Sequence, residues 1–159
     1  TVRHPHDAVA SVCRVNKFDL TDDGVRRAAW TFLDQGGRDL MRIQNLPNVL
    51  VLRYEDFITD YDVIFAKIQR FFALRIAADL RARLTEQYGL EQVRAIADSK
   101  KEFGSWDAET MIHGDHVSAN ATRLGYARDV FTDAQVEYLS EVFDPFMRAF
   151  GYADTGDGL

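Results

Sequence analysis

Apolar residues recur at three- and four-residue steps along most of this chain, a spacing that predicts helices. Val9, Val12 and Cys13 mark a first helix over 5–15, with Pro5 at an opening position where its missing N–H is not needed. After the polar stretch 19–24, a longer helix over 25–43 is carried by Val25, Ala29, Phe32, Leu33, Leu40 and Ile43. Gly36 and Gly37 predict a kink or break within it, because each glycine costs about 1 kcal/mol relative to alanine. Asn45 to Asn48, with Pro47, ends that helix, and Val49-Leu50-Val51-Leu52 follows as a continuous apolar run of strand length. Such a run predicts a parallel strand covered on both faces.

Asp60 is placed to cap a helix with a clean stripe of Tyr61, Ile64, Phe65, Ile68, Phe71 and Phe72. A further helical region over 79–97 is interrupted at Gly89. Residues 99–122 are polar, glycine-containing and aperiodic and read as a long functional or mobile loop. Thr132 with Gln135 three residues on is a capping-box pattern. It opens a last helix with Val136, Leu139, Phe143, Phe146, Met147 and Phe150 on one face and Gly151 as its stop.

Length and charge narrow the function. At 159 residues the chain has the size of one domain, and 19 basic against 25 acidic residues leave a net charge of −6. That sign argues against general nucleic-acid or anionic-membrane binding, though one nucleotide needs only a few local cations. The lone cysteine, Cys13, excludes an intramolecular disulfide framework and points to a reducing compartment, so a cytoplasmic location is expected. No apolar run reaches the length of a membrane span, and no signal peptide is visible. The four histidines and one cysteine lack metal-ligand spacing, so no metal site is expected.

The densest chemistry lies at the start, in Val2-Arg3-His4-Pro5-His6-Asp7-Ala8-Val9-Ala10-Ser11. An arginine stands beside a helix start, and a serine eight positions later lies early in that helix. A guanidinium fork, a hydroxyl and the positive end of a helix dipole together make a small anion site. The plainer reading is a helix entry with Asp7 favouring the dipole and with Arg3 and Ser11 solvated.

This segment resembles the 3′-phosphate-binding motif of the PAPS-dependent sulfotransferases (PAPS is 3′-phosphoadenosine 5′-phosphosulfate), with His4 where that family usually has aspartate or asparagine. Two further segments, in the same order, extend the likeness over nearly the whole chain. Val49-Leu50-Val51-Leu52-Arg53-Tyr54-Glu55-Asp56-Phe57 resembles the strand and Tyr-Glu-Asp turn of the family, followed by a helix ending Ile68-Gln69-Arg70-Phe71-Phe72. Arg123-Leu124-Gly125-Tyr126-Ala127-Arg128-Asp129-Val130-Phe131-Thr132 resembles its Arg-x-Gly segment, with Ala127 where tryptophan is common.

The resemblance implies an α/β, P-loop-NTPase-like three-layer sulfotransferase fold, of which this chain would be the C-terminal, helix-rich part. Residues 1–159 would form a single partial domain, with Thr1-Val2-Arg3 as the end of a strand under way and the N-terminal strands missing. It implies PAPS as co-substrate and transfer of a sulfuryl group to a hydroxyl or amine on a small-molecule, lipid or carbohydrate acceptor. The cofactor-binding residues would be Arg3, Ser11, Tyr54, Arg123 and Gly125, with Arg123 and the Gly125 backbone closing over the 3′-phosphate. No Gly-x-x-Gly-Lys-like loop is present, so the 5′-phosphosulfate loop and the catalytic base are expected upstream of Thr1, and the isolated chain is expected to be inactive and marginally stable. In the polar loop, Phe103 and Trp106 are candidates for an acceptor pocket and His116 for orienting a substrate. Two other classes fit part of the pattern: a non-enzymatic helical interaction module, and a fragment of a P-loop nucleoside or small-molecule kinase.

Overall fold

A computed structural model describes residues 1–100, 104–114, 117 and 122–153. They form two compact units, one from 1–55 with 123–159 and one from 56–122.

The first unit is built from helices packed on helices. Helix α1 (Pro5–Asn16) starts on its proline and ends where Lys17 turns left-handed. Helix α2 (Asp22–Phe32) is capped by Thr21, whose hydroxyl accepts from the Gly24 amide, and two aspartates sit in its positive first turn. The double glycine acts as its sequence suggests. A kink within Leu33–Gly37 separates α2 from α3 (Arg38–Ile43): Gln35 and Gly36 leave helical backbone geometry, and Gly36 adopts φ 130°, which an L side chain rarely takes up. A short helix, α8 (Ala127–Val130), precedes α9 (Asp133–Ala149). In α9 the capping box forms in full, Thr132 and Gln135 each bonding the other's backbone.

The apolar stripes of these helices meet in one core. Val9, Ala10 and Cys13 from α1 pack with Val25, Ala28 and Ala29 from α2 and with Leu139, Phe143 and Phe146 from α9. Phe32 stands edge-on to Phe143 and Phe146, with ring centroids 5.5 and 5.4 Å away. Edge-to-face pairs of this kind add about 0.5–1.5 kcal/mol to the burial of the rings themselves.

The second unit holds α5 (Asp62–Phe72), α6 (Ala78–Tyr88) and α7 (Leu90–Ser99), with α6 and α7 divided at Gly89. Helix α4 (Tyr54–Phe57) leads into it. Its buried apolar residues are Ile58, Phe65, Ala97 and Ile112, while Phe72, Leu74, Trp106 and Met111 remain exposed. The α5 cap falls one residue later than its sequence suggests, with the Asp60 carboxylate accepting from the Asp62 amide at 2.9 Å. Within the expected loop, the Trp106–His113 bridge closes a hairpin, and Asp107 takes hydrogen bonds from both the amide and the hydroxyl of Thr110. Those bonds hold its carboxyl down to about 2.

The expected α/β three-layer architecture is not what the chain adopts. Among the described residues there is no strand and no sheet, and the fold is helical. The run Val49-Leu50-Val51-Leu52 has no regular secondary structure, and the one parallel bridge beside it pairs Val2 with Arg53. The Val2 amide donates to the Leu52 carbonyl at 2.8 Å, and the Tyr54 amide donates to the Val2 carbonyl at 2.7 Å. A ladder requires successive paired residues. Here α1 begins at Pro5 on one side and α4 at Tyr54 on the other, which halts pairing after one step. A short apolar run has the same pattern whether it is a buried strand or an extended connector.

The rings of the first-unit core should dominate its stability. Phe143→Ala, which empties a fully buried site, is expected to cost about 3–5 kcal/mol in urea unfolding; a loss below 1 kcal/mol would mean that this core does not hold the unit together.

Candidate functional site

The single parallel bridge fixes Val2, just before Arg3. Beyond it, the His4 amide donates to Glu55 Oε1 at 2.6 Å, and the Tyr152 hydroxyl donates to Glu55 Oε2 at 2.7 Å. Glu55 thus ties the entry of α1 to the segment after α9. Arg53 completes the frame, donating to the Gly151 carbonyl at 3.0 Å and lying 4.3 Å over the Tyr152 ring.

Arg3, held in this frame, lays its guanidinium over the Tyr54 ring at 4.9 Å. Such a cation–π contact orients the fork and leaves its edge donors for other partners. One terminal nitrogen is 3.8 Å from Asp7 Oδ2, and Nε is buried without a hydrogen-bond partner among the described residues. The side chain as a whole is 22% exposed.

Asp7 has a buried, doubly bonded environment that its sequence context did not disclose. An acid in the first turn of a helix reads as an exposed complement to the dipole, but this side chain is only 1% exposed. Its Oδ2 accepts from the Gly125 amide at 3.0 Å and its Oδ1 from the Ala127 amide at 2.9 Å, across 118 and 120 residues. The only sequence signal was its place three residues ahead of Ala10 on the buried face of α1.

Of the residues expected at the site, the structure brings Arg3 and Tyr54 into contact and joins Gly125 to Arg3 through Asp7. Gly125 has φ 74°, where a side chain would be strained, and its N–H points to Asp7. Ser11 lies half-buried one turn beyond Asp7, on the same strip of α1. Arg123 is two residues from Gly125, with its guanidinium on Asp129 at 2.6 Å in a partly exposed pair. Ala127, where tryptophan was the expected residue, is buried and gives its amide to Asp7. Trp106 lies half exposed in the second unit, and Phe103 and His116 fall outside the described residues.

Two histidines flank Pro5 at the edge of this site. The His4 and His6 rings meet edge to face at 4.9 Å, and His4 meets Tyr152 in the same way at 5.2 Å. Burial lowers the basicity of both; for His4 the charges of Asp7 and Glu55 oppose that effect. In His6 burial, then neighbouring His4 and Arg128, bring the value down to about 4. His6 is 8% exposed, with Nε2 3.5 Å from the Ser140 hydroxyl. No group of three or more His, Cys, Asp or Glu side chains among the described residues is arranged to hold a metal. The arrangement places an oriented guanidinium, Arg3 over Tyr54, beside the start of α1.

No family model, no curated protein and no solved structure matches the chain. No helix among the described residues is long and apolar enough to cross a membrane.

His6 makes stability depend on pH. The unfolded chain binds a proton near 6.5 and the folded one near 4. Between those values the unfolded state holds more protons, so the contribution of His6 is complete above pH 6.5 and is lost as pH falls towards 4. The loss should be on the order of 3 kcal/mol. Urea unfolding of the wild type at pH 7 and pH 4.5 should show a drop that is markedly smaller in His6→Gln; equal drops would remove His6 as its source.

Proposed function

We propose that the surface around Arg3 binds the 3′-phosphate of PAPS, and that the chain serves as part of a PAPS-dependent sulfotransferase. The observation that carries this reading is the guanidinium of Arg3, stacked on Tyr54 beside the start of α1, partly open to solvent and with an unsatisfied Nε. A planar fork held in this way suits bidentate recognition of a phosphate. Ser11 adds a hydroxyl on the neighbouring turn of α1. Arg123 adds a second cation once its exposed pair with Asp129, of the kind worth at most about 1 kcal/mol, opens. Gly125, with φ 74°, shapes the turn that follows Arg123.

Sulfuryl transfer from PAPS to a hydroxyl or amine is an in-line displacement, in which positioning and charge stabilisation supply most of the catalysis. In that scheme this chain holds the 3′-phosphate side of the co-substrate and orients it, while the base that takes the acceptor's proton belongs to another part of the enzyme. The acceptor is a small molecule, lipid or carbohydrate. The buried thiol of Cys13, made less acidic by that burial, suits a reducing compartment, and we place the protein in the cytoplasm. The helical content and the exposed apolar side chains of the second unit favour a second reading, a helical interaction module that binds no nucleotide.

PAP (adenosine 3′,5′-bisphosphate), the product nucleotide, separates the readings. Titration calorimetry should show PAP binding by the wild type and a weakening of about 1.5–3 kcal/mol in Arg3→Ala, the range for a hydrogen bond to a charged group. Unchanged affinity in the variant would end the assignment of Arg3. Binding of ATP in preference to PAP would favour a kinase.

A further inference from the structure

The contacts of Asp7 raise a physical question that phosphate binding by Arg3 does not answer. A carboxylate 3.8 Å from the cation that is to hold a phosphate works against that phosphate electrostatically. Burying it also costs more than filling the same space with an apolar side chain, unless its oxygens are satisfied. Both are satisfied, and by backbone amides of one short segment, Gly125 and Ala127. Gly125 reaches this position only with φ 74°, and its carbonyl in turn accepts from the Arg128 amide at 3.1 Å. The turn that follows Arg123 is thus wrapped around one carboxylate. No other side chain of the described residues grips this segment by its backbone.

We propose that Asp7 is the positioning residue of this site: by gripping the Gly125 and Ala127 amides it fixes the Arg123–Ala127 segment against the first turn of α1, and so sets where Arg123 meets a phosphate held by Arg3. The inference rests on the reading of Arg3 as the phosphate-binding residue. The Gly125 amide, on this account, is a structural donor to Asp7 and not a direct ligand of the phosphate. Asp7 touches neither the nucleotide nor the acceptor. Its charge lowers the affinity that Arg3 alone would have, and its grip on the segment more than offsets that by delivering the second cation.

Asp7→Asn keeps the size of the side chain but presents an amide donor where one of the two N–H groups needs an acceptor, so at least one bond is lost. In the full 159-residue chain, amide hydrogen exchange followed by NMR should find Gly125 and Ala127 protected relative to Tyr126 between them, and PAP should slow both further. In Asp7→Asn both amides should exchange faster, and PAP should bind about tenfold more weakly, although removing the charge by itself favours the phosphate. Wild-type amides that exchange as fast as that of Tyr126, or that PAP leaves unchanged on binding, would overturn the proposal without need of any variant. A folded Asp7→Asn with loosened amides and unchanged PAP affinity would reduce Asp7 to a packing role and overturn it as well. Failure of the wild type to bind PAP at all overturns the phosphate reading of Arg3 first and the proposal with it, a pattern distinct from normal binding by both proteins.

Discussion

The carboxylate of Asp7 survives away from water because two backbone amides from the far end of the chain and the guanidinium of Arg3 surround it. A buried acid without such partners would cost several kcal/mol. That cost makes the arrangement close to all-or-none: the segment carrying Gly125 and Ala127 must dock on α1 for the acid to be tolerated, and the docking fixes the geometry on which Arg3 depends. Glu55 does the same one step away, joining the His4 amide to the Tyr152 hydroxyl. Two acids thus close the beginning and the end of the first unit onto each other.

These polar clamps sit at the margin of an apolar core, and each supports the other. The stripes of α1, α2 and α9 determine that the helices pack, through Val9, Val25, Leu139, Phe143 and Phe146. Helix packing alone tolerates sliding and rotation of an α-helix by a fraction of a turn. Hydrogen bonds of 2.6–3.0 Å to Glu55 and Asp7 do not, so the start of α1 is held more tightly than its apolar contacts require. Side chains carried on that start inherit its fixed position, and a shift of about 1 Å is enough to weaken a directional contact made there.

The helices were legible because a period of 3.6 residues is a local property. Proline at the start of α1, the double glycine after α2 and the Thr132–Gln135 box each act within a few residues of where they stand. The run Val49-Leu50-Val51-Leu52 misled because hydrophobicity without periodicity states only that a segment is covered. Whether it becomes a strand depends on what lies alongside, and one residue, Val2, does so. The α/β architecture expected from the resemblance fell with that strand. Arg3 and Tyr54 were both legible as candidates; their contact was not, since the parallel bridge that places them together pairs residues about fifty positions apart in the chain.

By itself the sequence determined that most of the chain is helical, which apolar stripes α1, α2 and α9 bury, and that a cation and a hydroxyl flank the entry of α1; it did not give the start of α2 at Asp22 or the short helices α4 and α8. Tertiary structure alone decided the role of Asp7, because an acid in a first helical turn has the same local pattern whether it faces water or a buried pair of amides 118 and 120 residues away. It also decided that Arg123 rests on Asp129 while its neighbour Gly125 turns towards α1. Local periodicity is encoded in neighbouring residues and survives reading one window at a time; the partner of a buried charge is settled only when the whole chain has closed around it.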